Sequence, residues 1–284
     1  MEIKGWFGED VAATYDDDTA GLSAPEVLDP QLDVLTELAA GGPVLELAIG
    51  TGRVGVPLAL RGLRVAGIDL SAAMAARLRS KPGGDEASIP VVIGDMTTAQ
   101  APGAGSFRLV YLVFNSLMNL TAQEAQVACF QNAAAHLAAG GHFLVEMPFP
   151  GLRRAGDRFR VFDHSDTHVG IDEYDVTTQR LWSHHIKFLP DGRVQRASPP
   201  FRYAWPAELD LMARIAGMRL VHRWSDWDRT AFTSESTKHV SVWRKGRQRL
   251  VEEPTRMRLR RSPAFAFRRP RIHCHDVLIV RPSD

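Results

Sequence analysis

Two cysteines in 284 residues are too few for a disulfide framework. Cys129 and Cys274 are expected as free thiols of a reducing compartment. No apolar run approaches the roughly 18 residues that a membrane-spanning helix needs. The opening segment MEIKGWFGEDVAATYDDD is acidic and has no hydrophobic signal core, so the expected localisation is cytoplasmic, with no membrane partner. There is no internal repeat. Net charge is also scarce, at +1, but this is an average of two unlike parts. Residues 244–284 hold 12 Lys/Arg against 4 Asp/Glu, whereas residues 1–243 hold 22 against 29. A basic tail on an acidic body raises the question of nucleic acid.

What is present is an ordinary globular composition, 45% hydrophobic and 24% charged, long enough to bury a large core. Residues 1–28 read as a polar, solvated N-terminal arm. A helix is expected from Asp29 as N-cap, with Pro30 at its first position, until Gly41-Gly42-Pro43 stops it. Strands and helices then alternate. Pro43–Ile49, Leu63–Asp69, Pro90–Gly94, Arg108–Phe114 and His142–Met147 read as strands. Helices are expected over Arg53–Arg61, from a Ser71 cap to Arg79, and from a capping box at Thr121-Ala122-Gln123-Glu124 to Gly140-Gly141. Such alternation implies a parallel sheet covered on both faces. Residues 151–206 lose the helical period and read as antiparallel strands, with Leu189-Pro190-Asp191-Gly192 as a turn. A helix over Pro206–Ala216 and strands Met218–Trp224 and Thr237–Trp243 complete the body. This divides the chain into an arm (1–28), a nucleotide-binding core (29–150), a β lid (151–206), the rest of the core (207–243) and a tail (244–284) read as disordered or appended.

The strongest chemical signal is Glu46-Leu47-Ala48-Ile49-Gly50-Thr51-Gly52-Arg53, where the first strand hands over to a helix. Small residues there let backbone approach a ligand, and helix amides can meet an anion. Asp69 ends the next strand, 19 residues after Gly50, the spacing that reaches ribose hydroxyls in dinucleotide folds. Gly50, Gly52 and Gly55 fit G-x-G-x-x-G, which alone would suggest NAD. Three features favour S-adenosylmethionine (SAM). Glu46, inside the first strand, suits an ammonium and would repel a pyrophosphate. Gly94-Asp95-Met96 offers an acceptor and a packing surface for adenine. Arg53 can pair with a carboxylate.

The set ELAIGTGR, GIDLS, GDM, FNSLMNL and LAAGGHFLVEMP, over roughly residues 10–243, resembles the class I SAM-dependent methyltransferases, in particular small-molecule and sugar methyltransferases of the ELA-x-GTGR subtype. Ala48 stands where many members carry the first glycine. The resemblance implies an α/β, Rossmann-like seven-stranded sheet in the order 3-2-1-4-5-7-6, with helices on both faces and an antiparallel β lid after strand 5. It implies that Glu46, Ala48, Gly50, Thr51, Gly52 and Arg53 lie at the methionine end of SAM. Asp69 would hold the ribose, Leu70 and Met74 would flank the adenine, and Gly94, Asp95 and Met96 would hold the base. Phe114, Asn115 and Ser116 would face the sulfonium and the methyl acceptor, and Tyr15 would close over the cofactor.

The expected reaction is in-line methyl transfer to O or N of a small molecule, in which alignment does most of the work. A base is needed only where the acceptor holds a proton of high pKa. In Arg180–Phe188, Trp182, His184, Ile186 and Phe188 share one face and Leu181, Ser183, His185 and Lys187 the other. The first face is expected inward, making His184 the candidate base and His185 a solvated residue, with Tyr203 and Asn115 as further catalytic candidates. His222 and His239 read as structural. No metal site is expected, since adjacent His273-Cys274-His275 cannot all face one ion. The competing readings are a nucleic-acid methyltransferase that uses the tail, although the N/D-P-P-Y/F motif of amino-methylating DNA enzymes is replaced by Phe114-Asn115-Ser116-Leu117, and an NAD-dependent oxidoreductase.

Overall fold

The computed structural model describes residues 7–149 and 158–246. It opens with two helices, α1 (Glu9–Asp18) and α2 (Pro25–Ala39). Alternation follows: β1 (Val44–Leu47), α3 (Gly55–Leu60), β2 (Val65–Asp69), α4 (Ala72–Arg79), β3 (Val91–Ile93), β4 (Phe107–Leu112), α5 (Gln123–His136) and β5 (Leu137–Pro148). Five lid strands come next, β6 (Phe159–His164), β7 (His168–Asp175), β8 (Arg180–Phe188), β9 (Val194–Ala197) and β10 (Pro200–Arg202). The chain then returns through α6 (Pro206–Ile215), β11 (Met218–Trp224) and β12 (Lys238–Lys245).

The main sheet runs β3-β2-β1-β4-β5-β12-β11. Its first five strands are parallel and β12 is antiparallel to both neighbours. This is the expected 3-2-1-4-5-7-6 order. Every residue of β1 and β2 is buried, as a parallel sheet covered on both faces requires. One face packs Leu35, Leu58, Leu78 and Tyr111. The other packs Phe130, Phe143 and Trp243 edge-on or tilted, at centroid distances of 5.0–6.1 Å. The second sheet, β10-β8-β7-β6 with β9 beside β8, is antiparallel. Its β8–β9 turn forms at Leu189–Gly192, where Gly192 takes φ +82° and its amide donates to the Leu189 carbonyl at 2.9 Å.

A buried arginine ties the lid sheet to the helices of the core. Arg202, on β10, donates to Gln126 of α5 (2.6 Å), to Gln179 before β8 (3.1 Å) and to Glu208 of α6 (2.7 Å). Gln126 returns a bond to the Arg202 carbonyl at 3.0 Å.

Several local expectations are corrected. The arm is folded: α1 lies against the core, with Asp16 accepting from Thr51 at 2.6 Å and from Lys81 at 2.9 Å. Burial raises the Asp16 pKa, but these two hydrogen bonds outweigh it and hold the carboxyl below its usual range. α2 begins at Pro25 after an extended Ala24, because proline is already shaped for a first helical position. Asp29 and Pro30 therefore fall inside it. The Thr121 capping box does not form. Ala122 is the N-cap without a side-chain bond, and Thr121 faces a cavity instead. α5 stops at His136, and residues 137–141 extend β5. Ser71 does cap α4, accepting from the Met74 amide at 3.1 Å. The tail beyond Gly246, with Cys274 and His273-Cys274-His275, lies outside the described residues, as do residues 150–157 at the start of the lid. No described helix is long and apolar enough to cross a membrane.

Candidate functional site

A cavity of about 280 Å³ opens beyond the carboxyl ends of β1, β2 and β3, where open α/β sheets bind ligands. Its floor is the turn after β1. Ala48 (φ 54°), Gly50 (φ 58°) and Gly52 (φ 78°) all take left-handed backbone, which folds the chain sharply back towards α3. Gly50 lines the cavity without a side chain. Gly52 serves packing: a Cβ there would come within 2.8 Å of Val56 and 2.9 Å of Leu78.

Asp69 is the best-fixed polar group on the wall. One carboxylate oxygen accepts from the Gly50 amide and the other from the Ser71 amide, both at 2.7 Å. Burial pushes its pKa up, and the two amides oppose that shift. Each oxygen keeps a second lone-pair site, so the group is set to accept from a pair of hydroxyls. Asp95 is pinned by one oxygen, which accepts from the Thr97 amide (2.8 Å) and hydroxyl (2.7 Å). Met74, Met96, Ile68 and Leu70 supply apolar walls. Tyr15 of α1 closes the cavity, and Phe7 packs edge-on against it at 6.5 Å. Burial pushes the Tyr15 pKa up to about 12, so it remains a neutral hydroxyl.

Of the residues expected at the cofactor, the cavity brings together Tyr15, Ala48, Gly50, Asp69, Leu70, Met74, Gly94, Asp95, Met96 and Ser116. The others stand one step back. Glu46 lies beneath the turn, 3% exposed, accepting from the Tyr111 hydroxyl at 2.9 Å. Burial pushes its pKa up to about 8. Thr51 points away from the cavity and fastens α1 through Asp16. Arg53 donates to the Leu22 carbonyl at 3.1 Å and lies 5.7 Å from the Phe114 ring. Phe114 and Asn115 are consecutive left-handed residues (φ 53° and 62°). The Phe114 amide donates to Glu146 at 3.0 Å, and the residue is 40% exposed.

Sequence reasoning missed Phe7, Ile68, Asn119, Leu120, Thr121, Ala122 and Ala125 on the wall. Ile68 carries a sequence signal, since it directly precedes Asp69. Of the run from Asn119 to Ala125, Asn119 and Leu120 end the FNSLMNL motif, and Thr121 to Ala125 carry only a helix-start signal in the sequence.

The lid places its strands with the opposite face inward. Leu181 and Ser183 are buried, whereas Phe188 is exposed. Alternation gives the period but not the phase, and Leu181 anchors the phase by packing into the core near Tyr174 and Tyr203. His184 therefore points outward, with its two ring nitrogens engaged by Ser198 (2.9 Å) and Glu173 (3.1 Å). His185 points inward. Tyr203 is 2% exposed, packed edge-on between Tyr174 and Trp205 at 5.7 and 5.9 Å, as part of the core under the lid. His239 is buried against Ser241 at 2.9 Å, and His222 stacks on Trp224.

Comparison with known proteins agrees with this geometry. Residues 44–141 match the family described as "Methyltransferase domain". The chain is 34% identical to the CcbJ methyltransferase from Streptomyces caelestis; the match covers 86% of this chain and 99% of that one, with a TM-score of 0.75. It is 27% identical over 209 residues to the cypemycin N-terminal methyltransferase of a Streptomyces species, covering 71% of this chain and 82% of the relative. The fold is shared with the sugar N-methyltransferase KedS8 from Streptoalloteichus sp. ATCC 53650, at 21% identity, covering 82% of this chain and 93% of that one, with a TM-score of 0.56. The chain belongs to the class I SAM-dependent methyltransferases. It is an enzyme, and its cofactor is SAM. The oxidoreductase reading is thereby set aside.

Proposed function

We propose that this methyltransferase acts on nitrogen or oxygen of a small molecule, with SAM in the cavity and the acceptor under the lid. The carrying observation is Asp69, whose two oxygens are each fixed by a backbone amide at 2.7 Å beside a glycine floor. That arrangement fits a ribose diol. Asp95, with one oxygen held by Thr97, would accept from the adenine amino group. Met74, Met96 and Leu70 would pack on the base, with Gly94 keeping the backbone close and Tyr15 closing from above. Ala48, Gly50, Glu46 and Arg53 would serve the methionine end, Gly52 would shape the turn and Thr51 would hold α1 down. Phe114, Asn115 and Ser116 would face the acceptor. When bound, SAM supplies a methyl group on a positively charged sulfur that departs neutral. The protein's own residues therefore have to bind, orient and exclude water rather than create a leaving group.

Two relatives point towards nitrogen, one named for N-terminal and the other for sugar N-methylation. The reading places the enzyme in the cytoplasm. Labelled SAM incubated with the enzyme and a cell extract tests it. Label recovered in a small molecule, identified by mass, is the expected result. Label recovered in nucleic acid would overturn the small-molecule reading.

A further inference from the structure

We propose that His185, on the inward face of the lid, is the group that accepts the proton of the methyl acceptor, with His168 and Asp163 as its positioning residues. The inference rests on the reading of the chain as a small-molecule methyltransferase with its acceptor under the lid.

Three residues on three neighbouring strands form one hydrogen-bonded line. On β6, the Asp163 carboxylate meets His168 Nδ1. On β7, His168 Nε2 lies 3.1 Å from His185 Nδ1, and the two rings stack at 5.2 Å. On β8, His185 Nε2 lies 3.3 Å from the Ser183 hydroxyl. Direction follows from the first member, since a carboxylate only accepts. His168 donates from Nδ1, so its Nε2 accepts, and His185 then donates from Nδ1. The lone pair of His185 is left on Nε2, facing Ser183.

Ser183 stands between two acceptors. Its single hydroxyl hydrogen is also sought by Asp172, its cross-strand neighbour on β7. Two acceptors face one donor, and Ser183 is only 7% exposed. Asp172 also has the Tyr174 hydroxyl at 3.5 Å, so the Ser183 hydrogen is free to turn to either acceptor. When it turns to Asp172, His185 Nε2 is open to an N–H or O–H of the acceptor molecule.

The row is also aimed at the right place. Leu181, Ser183, His185 and Lys187 lie along one face of β8. Leu181 is seated in the core, and Lys187 donates to Asp18 of α1 at 2.9 Å. The same helix carries Tyr15, which closes the SAM cavity. Ser183 and His185 therefore span the gap between the core beneath the lid and the helix over the cofactor. Phe162 packs edge-on against His185 at 5.4 Å and covers its other side.

The step is a proton transfer. The X–H bond of the acceptor breaks and its electron pair stays on X. Nε2–H forms on His185, giving an imidazolium that Asp163 balances through His168, and the proton then passes to water. The charged and titratable groups around His185 are Asp163, His168, Asp172, His184 and Lys187. Burial lowers the His185 pKa most, His168 and Lys187 lower it further, and Asp163 raises it. His185 is thus neutral near pH 7 and protonates only in more acidic solution.

Two measurements on the full-length chain test the proposal. Long-range nitrogen–proton NMR of the histidine rings should find His185 at pH 7 carrying its proton on Nδ1 and none on Nε2; a proton on Nε2 overturns the assignment. Transfer of label from SAM into the small-molecule fraction of the extract gives the second readout. H185N should lower it by about 100-fold or more, the range of a general base, with unchanged SAM affinity by calorimetry. D163N should move the acid limb of the wild-type pH profile to lower pH, because the carboxylate that raises the His185 pKa is gone. H184N should leave the rate on the pH plateau as it is. Identical profiles for wild type, H185N and D163N overturn the proposal. If the wild-type enzyme labels no small molecule, it is the proposed function that fails, and the ring measurement alone then decides the tautomer chain.

Discussion

The hydroxyl of Thr51, in the cofactor turn, donates to the carboxylate of Asp16, in the helix that closes over it, at 2.6 Å. The turn that shapes the floor of the cavity thus also holds its roof. T51V should free α1 without removing a wall residue. SAM affinity is expected to fall by about 1 kcal/mol, roughly fivefold, as a lost hydrogen bond implies. Hydrogen exchange should speed up over residues 9–18 and stay unchanged in β1. Unchanged exchange there would mean that α1 is held by other contacts.

Asp69 carries the heaviest polar duty in the cavity. D69A removes two hydroxyl acceptors and also strands the Gly50 and Ser71 amides. The expected loss of SAM affinity is about 1–3 kcal/mol, read by calorimetry. An unchanged affinity would remove the ribose assignment.

Glu46 makes unliganded stability depend on pH. Its folded pKa is raised to about 8 from an ordinary 4.5, so the folded state holds the proton more tightly than the unfolded chain. Its contribution is fully favourable below pH 4.5 and is lost as pH rises through about 8. The melting temperature of the cofactor-free enzyme should fall across that window, and E46Q should flatten the slope. SAM binding near pH 7 should release protons if the cofactor's ammonium draws Glu46 into its charged form, seen as a buffer-dependent heat. Buffer-independent heats would show that Glu46 keeps its proton.

Gly52→Ala places a methyl against Val56 and Leu78 on a backbone at φ +78°. Steric overlap and left-handed strain together should cost about 2–3 kcal/mol of stability, measured by denaturant unfolding. A neutral effect would mean that the turn relaxes without penalty.

The parallel sheet, the small-residue turn and the carboxylates at strand ends are legible from local signals, whereas the strand order and much of the cofactor wall follow from the resemblance to the methyltransferase family. What escaped reading depends on partners distant in sequence. Helix α1 buries only Ala12 among its ten residues, so no apolar stripe announces it. Asp16 gains its role from Thr51 and Lys81, 35 and 65 residues away. The sequence pattern favours the other face of β8 because Trp182, Ile186 and Phe188 look more apolar than Leu181, Ser183 and Lys187. Burial of Leu181 among the tyrosines, rather than summed hydrophobicity, decides which side faces in. Glu46 was legible as a buried carboxylate, but its bond to Tyr111 was not.

Arg202 has a consequence for how the molecule comes apart. Its guanidinium, buried between lid and core, is matched by Glu208 and two glutamines that belong to different elements. Peeling the lid away would take the Arg202 guanidinium from Glu208 and leave the carboxylate with Gln123 of α5, and breaking a buried pair costs up to about 3–5 kcal/mol. Partial unfolding of the lid is therefore penalised in the wild-type chain. This one side chain thus couples unfolding of the lid to unfolding of the cofactor half.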